Sequence, residues 1–255
     1  MASEFLQSVI RWNIDRNGSR RLLPYLYYDI AWIAGIYTAS TAIVRELLPS
    51  RELRPIELIP GRALIAIAFF DYKELDHEPY RETSISFLVQ YRKRPIPAAG
   101  VLGMIRSKVF PTYIWQLPVT SEYHCSGGVD LFGYPKFMAE IEFQMNEVLV
   151  ECTLSISGIP IVHLAGHVLP VSVGPRMRFE TYTAEGDTLI RANAIVNPLQ
   201  YAESRRKRDL SLEIGRDHAI CETLRSIKLS SHPLLYQFSP RGESILFPGR
   251  NILDT

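Results

Sequence analysis

The run Gly128-Val129-Asp130-Leu131-Phe132-Gly133-Tyr134-Pro135-Lys136-Phe137-Met138 sets one lysine among aromatic and aliphatic neighbours, just after a glycine-punctuated turn. A lysine in such surroundings either threads its ammonium out to water along an apolar stem or gives up its proton, because an isolated buried charge is too costly to keep. The neutral amine is a nucleophile toward ketone carbons. The iminium it forms is a cationic sink for the electrons of a breaking C–C or C–H bond. Lys136 is therefore the first candidate for chemistry, with Phe132, Phe137 and Met138 as the candidate dry wall around it. Tyr134 shares a face with Lys136 on an extended backbone, where its phenol either bonds a substrate or lines the wall. His124, four residues before Gly128, reads equally as a pocket acid or base and as strand-edge packing.

Other constellations are weaker. His163 and His167 stand four apart in an apparent strand and face one way. The residues between them, Leu164-Ala165-Gly166, are apolar, and no third ligand is placed nearby, so the pair reads as structural and no metal is predicted. Arg205-Arg206-Lys207-Arg208 is flanked by Glu203 and Asp209 and reads as a solvated loop rather than a nucleic-acid or phosphate site. Walker-type and dinucleotide glycine patterns are absent, so no cofactor is expected.

The segment Gly-x-Asp-Leu-x-Gly-Tyr-Pro-Lys over 128–136 resembles the active-site signature of the acetoacetate decarboxylase family, Gly-x-Glu-Leu-x-x-Tyr-Pro-Lys, which ends on its Schiff-base lysine. That family is itself a standard example of an activated lysine, so the mechanism comes with the resemblance. Three further segments are similar in the same order. Tyr37 to Pro49 (YTASTAIVRELLP) resembles the family's early helix, Tyr80-Arg81-Glu82 a Tyr-x-Glu element carrying an active-site acid, and Asp217-His218-Ala219 onward its C-terminal helix. The similarity runs from about Tyr27. It implies Lys136 as the Schiff-base residue, Glu82 as the residue that orients substrate or moves a proton, a small keto acid as substrate, and a homo-oligomer.

The chain also departs from the family. Phe137 stands where the family has a second lysine, and Val129 where it has an arginine; Tyr28-Asp29-Ile30 lacks the early pocket arginine, and the apolar run Ala63–Phe70 lacks the second acid. The Schiff-base apparatus is kept while the substrate-facing charges change. These changes favour, as a rival, a non-catalytic barrel that binds an apolar ligand.

Positioning such residues requires a scaffold, and the pattern predicts strands. Tyr25–Tyr37 is rich in aromatic and β-branched residues. Ile43, Val44, Leu47 and Leu48 build one helical face, capped by Ser40 or Thr41 and stopped by Pro49. Ala63–Tyr72 reads as a strand covered on both faces and Thr83–Tyr91 as another, with Lys73–Tyr80 a loop that delivers Glu82. After a polar turn at 92–97 come Gly100–Arg106, Tyr113–Val119 and the signature. Alternation over Ala139–Met145 and Val148–Ile156, with a turn at Asn146-Glu147 and with Gly158-Ile159-Pro160 leading into Ile161–Leu169, predicts an antiparallel meander. Phe179–Thr183, Thr188–Asn193 and Ser211–Ile214 are expected to extend it, with Gly186-Asp187 as a tight turn.

Eight to ten strands and two principal helices predict a mainly β, single-domain fold: a curled or closed antiparallel barrel over 24–255, preceded by an arm or short helix at 1–23. The 255 residues are enough to bury a core. Hydrophobic residues at 47%, charged residues at 22% and a net charge of +1 exclude a mainly disordered chain and give no basis for general nucleic-acid or membrane-surface binding. Ile30–Val44 is too short to cross a bilayer. Cys125, Cys152 and Cys221 are widely spaced and read as reduced thiols, and with no secretory leader visible a cytoplasmic location is expected. The functional expectation is a Schiff-base lyase that decarboxylates a β-keto acid through Lys136, with aldol or dehydratase chemistry through the same iminium as the alternative.

Overall fold

The computed structural model describes residues 3–16, 19–93 and 96–252. In chain order these form α1 (Glu4–Gln7), β1 (Trp12–Arg16), β2 (Ser19–Leu23), β3 (Tyr25–Ser40), α2 (Thr41–Glu46), β4 (Leu53–Pro55), β5 (Glu57–Ile59), β6 (Arg62–Leu75) and β7 (Tyr80–Tyr91). There follow α3 (Ala99–Ser107), β8 (Val109–Gln116), α4 (Glu122–Phe132), β9 (Glu140–Met145), β10 (Leu149–Ile156), β11 (Ile159–His167) and β12 (Met177–Glu185). The chain continues as β13 (Thr188–Ser204), β14 (Leu210–Ile214), α5 (Ala219–Ser226) and β15 (Leu235–Asn251).

Seven strands close a ring in the order β7-β8-β12-β13-β15-β3-β6, with β6 pairing back onto β7. Closure leaves these strands no open edge. The mainly β, closed-barrel class expected from the sequence is what the chain forms. One pairing is not antiparallel: β8 and β12 run parallel, with Thr112 in register with Thr181. Parallel neighbours need a long crossover, and here α4 and three strands intervene.

Those three strands belong to a second sheet, β14-β11-β10-β9. It is the predicted meander, turned at Asn146, whose Oδ1 accepts from the amides of Val148 and Leu149 at 2.8 and 2.9 Å. Phe179–Thr183 and Thr188–Asn193 do not extend it. They lie in β12 and β13 of the ring, joined by the two-residue turn Gly186-Asp187 with Gly186 at φ 56°. Ser211–Ile214 alone joins the second sheet, beside β11.

Successive residues of β3 feed two cores. Ala31, Ile33 and Tyr37 pack with Ile65, Phe69, Phe87 and with Cys152, Leu154 and Leu164 of the second sheet. Ile30 and Trp32 pack instead with Tyr27, Tyr80, Phe132 and Tyr134. The period of two produces this division, and each large apolar side chain so buried contributes roughly 1.5–3 kcal/mol.

Several local expectations are corrected. The loop predicted over Lys73–Tyr80 shrinks to 76–79, because Glu74 and Leu75 still pair with β3 and Tyr80 already pairs with Tyr72. Gly100–Arg106 lies within α3. Ser40 is the N-cap of α2, but its side chain makes no capping bond; the amide of Thr41 donates to the Gly61 carbonyl instead. The largest revision is α4, a helix where a turn and a strand edge were expected. Residues 94–95 of the predicted polar turn at 92–97 lie outside the described residues, as do 17–18 of the N-terminal segment. Leu6 of α1 packs with Leu26 and Ile245. Among the described residues no helix is long and apolar enough to cross a membrane.

Candidate active site

Helix α4 starts at Ser121, whose side chain accepts from the His124 amide, and ends at Gly133, whose φ of 60° gives the left-handed cap glycine allows. The amide of Tyr134 then donates back to the Gly128 carbonyl at 3.2 Å. From Pro135 the chain runs extended beside 117–119. Leu117 donates to the Pro135 carbonyl at 3.3 Å, Val119 to Phe137 at 2.9 Å, and Ala139 to Val119 at 3.0 Å. On its other side Val119 bridges Glu82, and Thr83 donates to the Pro118 carbonyl at 3.0 Å. One short segment thus spaces the lysine from β7.

Across that spacer Lys136 Nζ donates to Glu82 Oε2 at 2.6 Å, with side-chain exposures of 6% and 9%. The other carboxylate oxygen, Oε1, accepts from Tyr72 Oη at 3.1 Å. Glu82 is in register with Phe70, so Tyr72 is its diagonal neighbour on the same face, within reach of a long side chain. Tyr72 stacks on Tyr80 with centroids 4.6 Å apart and lies 4.7 Å from Tyr27, whose hydroxyl is 3.3 Å from that of Tyr80. Lys136 Nζ lies 5.4 Å from the Tyr80 ring centroid, a distance at which a ring face attracts a cation. Burial pushes the phenols of Tyr27, Tyr72, Tyr80 and Tyr134 well above the usual tyrosine range, so all four stay protonated. The Tyr134 hydroxyl bonds Thr181 Oγ1 at 2.8 Å.

His124 stacks on Tyr80 at 3.9 Å, and its Nε2–H donates to the Glu78 carbonyl at 3.1 Å. Burial, reinforced by the Lys136 charge, pulls the imidazole down to about 4, so it is neutral near pH 7. A cavity of about 10 Å³, room for roughly one water, is bounded by Lys136, Gly128, Phe132, Tyr134, His124 and Tyr80, with Tyr25, Tyr27 and Leu246 completing its wall. The lysine stem lies directly across Gly128 of α4. A Cβ there would stand 2.6 Å from Lys136 Cε, so the signature glycine is what lets the amine in.

The fold therefore brings together Lys136, Glu82, Tyr134, Phe132 and His124. It does not bring Phe137 or Met138 to the cavity. Phe137 packs with Ala139 against the first core, because the residue after an inward-facing one on an extended chain faces away, and Met138 is 44% exposed. Tyr25, Tyr27 and Tyr72 form no local motif; Tyr80 opens the Tyr-x-Glu element that singled out Glu82, but none of the four was read as a site residue. The signal for two of them was register: Tyr72 and Tyr80 flank the short turn that presents Glu82. Elsewhere, His163 Nδ1 bonds Thr153 Oγ1 at 3.1 Å, and Arg205–Arg208 is exposed beside a short 3-10 turn. Among the described residues no group of three or more His, Cys, Asp or Glu is disposed to hold a metal.

A buried lysine paired with a glutamate of a closed β ring, on a segment laid beside residues 117–119, defines the class of protein to compare. The family profile described as Acetoacetate decarboxylase (ADC) matches residues 14–181, well over half of the chain. The chain belongs to the acetoacetate decarboxylase family. Among solved structures, one of an acetoacetate decarboxylase superposes with a TM-score of 0.67 at 14% identity, covering 90% of this chain and 89% of that one. Acetoacetate decarboxylase from Legionella pneumophila gives 0.66 at 14% identity, covering 98% and 93%. The enduracididine biosynthesis enzyme MppR, complexed with pyruvate, gives 0.64 at 14% identity, covering 89% and 90%. At these identities the likeness is one of fold. No curated protein is matched by sequence.

Proposed function

We propose that this protein is a Schiff-base lyase acting on a small keto acid, with Lys136 as nucleophile and Glu82 as its proton carrier, and that decarboxylation of a β-keto acid is its reaction. The observation that carries the reading is the 2.6 Å contact between two nearly water-free side chains at a cavity walled by aromatic rings. In so dry a site proton exchange within the pair is direct.

The steps follow from that contact. A proton passes from Nζ to Oε2, leaving a neutral amine and a carboxylic acid. The amine adds to the ketone carbon, and the carbinolamine hydroxyl takes the Glu82 proton and leaves as water, giving the iminium. The C–C bond to the carboxylate breaks, its electrons neutralise the iminium to an enamine, and carbon dioxide departs. A solvent proton delivered through Glu82 caps the enamine carbon. Hydrolysis then returns ketone and amine. The buried phenols supply hydrogen-bond donors that do not ionise during this cycle.

A second reading keeps the iminium and changes the outcome to aldol addition, retro-aldol cleavage or dehydration. It is favoured by the similarity in fold to MppR, whose structure holds pyruvate, a keto acid with no carboxylate in the β position. The deciding experiment is borohydride reduction in the presence of acetoacetate or pyruvate, followed by intact mass and peptide mapping. A reduced adduct on Lys136, lost in Lys136→Ala, is expected, and its mass reports whether carbon dioxide has left. No adduct with either keto acid would exclude the mechanism.

A further inference from the structure

Arg21 of β2 is only 7% exposed, yet among the described residues no carboxylate stands within ion-pair distance of it. Among those residues its Nε has no hydrogen-bond partner. Its one side-chain bond, from Nη2 to Ser126 Oγ, is stretched to 3.4 Å, and the guanidinium otherwise lies 3.7 Å over the Tyr123 ring. A guanidinium offers five N–H donors in a planar fork that matches a carboxylate two-for-two. Buried cations in folded proteins are paired, and among the described residues no anion faces this one.

Its position says where the anion goes. A point one Cβ bond from Gly127 is 3.0 Å from Tyr25 Oη, 3.8 Å from Arg21 Cζ and 3.9 Å from the unpartnered Nε. The Tyr25 hydroxyl and the guanidinium therefore converge on one spot against α4. The next residue, Gly128, is the one the Lys136 stem crosses, and Tyr25 and Lys136 share the cavity wall. Burial pushes the Tyr25 phenol up to about 12 against the opposing pull of the Arg21 charge, which leaves Tyr25 a donor as well.

Resting on the keto-acid reading above, we infer that Arg21, with the Tyr25 hydroxyl, is the carboxylate-recognition residue of the Lys136 cavity, taking a mono-anionic keto acid in preference to a neutral ketone. Arg21 grips a charge that substrate carries from the start, so it sets affinity more than turnover.

The test is borohydride trapping of Lys136 as a function of acetoacetate and of acetone, the same methyl ketone without the carboxylate, in wild type, Arg21→Met and Arg21→Lys. In Arg21→Met the half-saturating acetoacetate concentration should rise about 10- to 100-fold, as for loss of a charged hydrogen bond, while acetone trapping stays within about threefold. Arg21→Lys, which keeps the charge but not the fork, should fall between. Arg21→Met should melt no lower than wild type, since an uncompensated buried cation is removed; a drop in melting temperature with parallel losses for both ketones would make Arg21 a structural residue and overturn the assignment. Adducts with both ketones but no loss of acetoacetate preference would also overturn it, leaving the Lys136 mechanism intact. No adduct with either would remove the mechanism and the Arg21 assignment together.

Discussion

Replacing Gly128 with alanine tests the site with a single methyl group. The added Cβ would stand 2.6 Å from Lys136 Cε, whereas non-bonded carbons settle near 3.5–4.0 Å, so the lysine stem has to retreat by about 1 Å. Its obstacle is the far end of a flexible side chain rather than backbone, so the helix itself need not move. Alanine is also the better helix former by roughly 1 kcal/mol, which offsets the local crowding. The fold should survive while Nζ loses its 2.6 Å contact with Glu82 Oε2. Misplacing a reacting group by 1 Å costs on the order of 100-fold in rate. The assay is the rate of borohydride trapping with acetoacetate, read beside a thermal melt. A Gly128→Ala protein that melts like wild type and is trapped at the wild-type rate would refute the claim that this glycine admits the Lys136 amine.

Glu82→Gln should destabilise the protein by about 3–5 kcal/mol in denaturant titration by leaving a buried ammonium uncompensated, and slow trapping by about 100-fold or more, whereas the double change Lys136→Met with Glu82→Leu should recover much of the stability; a Glu82→Gln protein as stable as wild type would contradict the pairing. Tyr72→Phe removes the donor to Oε1 and should cost about 1.5–3 kcal/mol, measured the same way, with trapping slowed because the carboxylate is free to turn from the amine. For His124, the folded imidazole lies near 4 against an ordinary 6.5, so the folded state binds fewer protons than the unfolded one in between. The stability it contributes is complete above about 6.5 and drains away as pH falls toward 4. Melting temperature against pH should show this slope and lose it in His124→Gln.

The candidate lysine was legible because its surroundings are local: eleven consecutive residues carry the amine, its glycine and its aromatic neighbours. Glu82 was reached only through resemblance, since 54 residues separate it from Lys136 and nothing in its own surroundings marks it. The tyrosine wall was out of reach for a related reason. Tyr27, Tyr72 and Tyr80 stand on three strands, and only the register of β3, β6 and β7 stacks them under the carboxylate. Period-two patterns found most ring strands but could not choose their partners, so β12 and β13 were assigned to the meander although β12 pairs with β8. Helix α4 was hidden by Gly127-Gly128, poor helix formers that mimic a turn. Tertiary contacts override that local preference: the hydroxyl of its cap, Ser121, donates to Glu78, and Leu131 and Phe132 are buried.

The ring closes by pairing β3 with β15, which sets Tyr25 opposite Leu246, and both side chains bound the cavity. That contact joins residues more than two hundred positions apart, so it closes a loop of most of the chain. Folding of such high contact order runs on the millisecond-to-second scale, with loop entropy spent before the contact gives anything back. A chain emerging from the ribosome therefore carries Lys136 through the rest of synthesis without the closed cavity around it. On the proposed mechanism, the amine meets stray cellular aldehydes and ketones as an enclosed nucleophile only once β15 has docked.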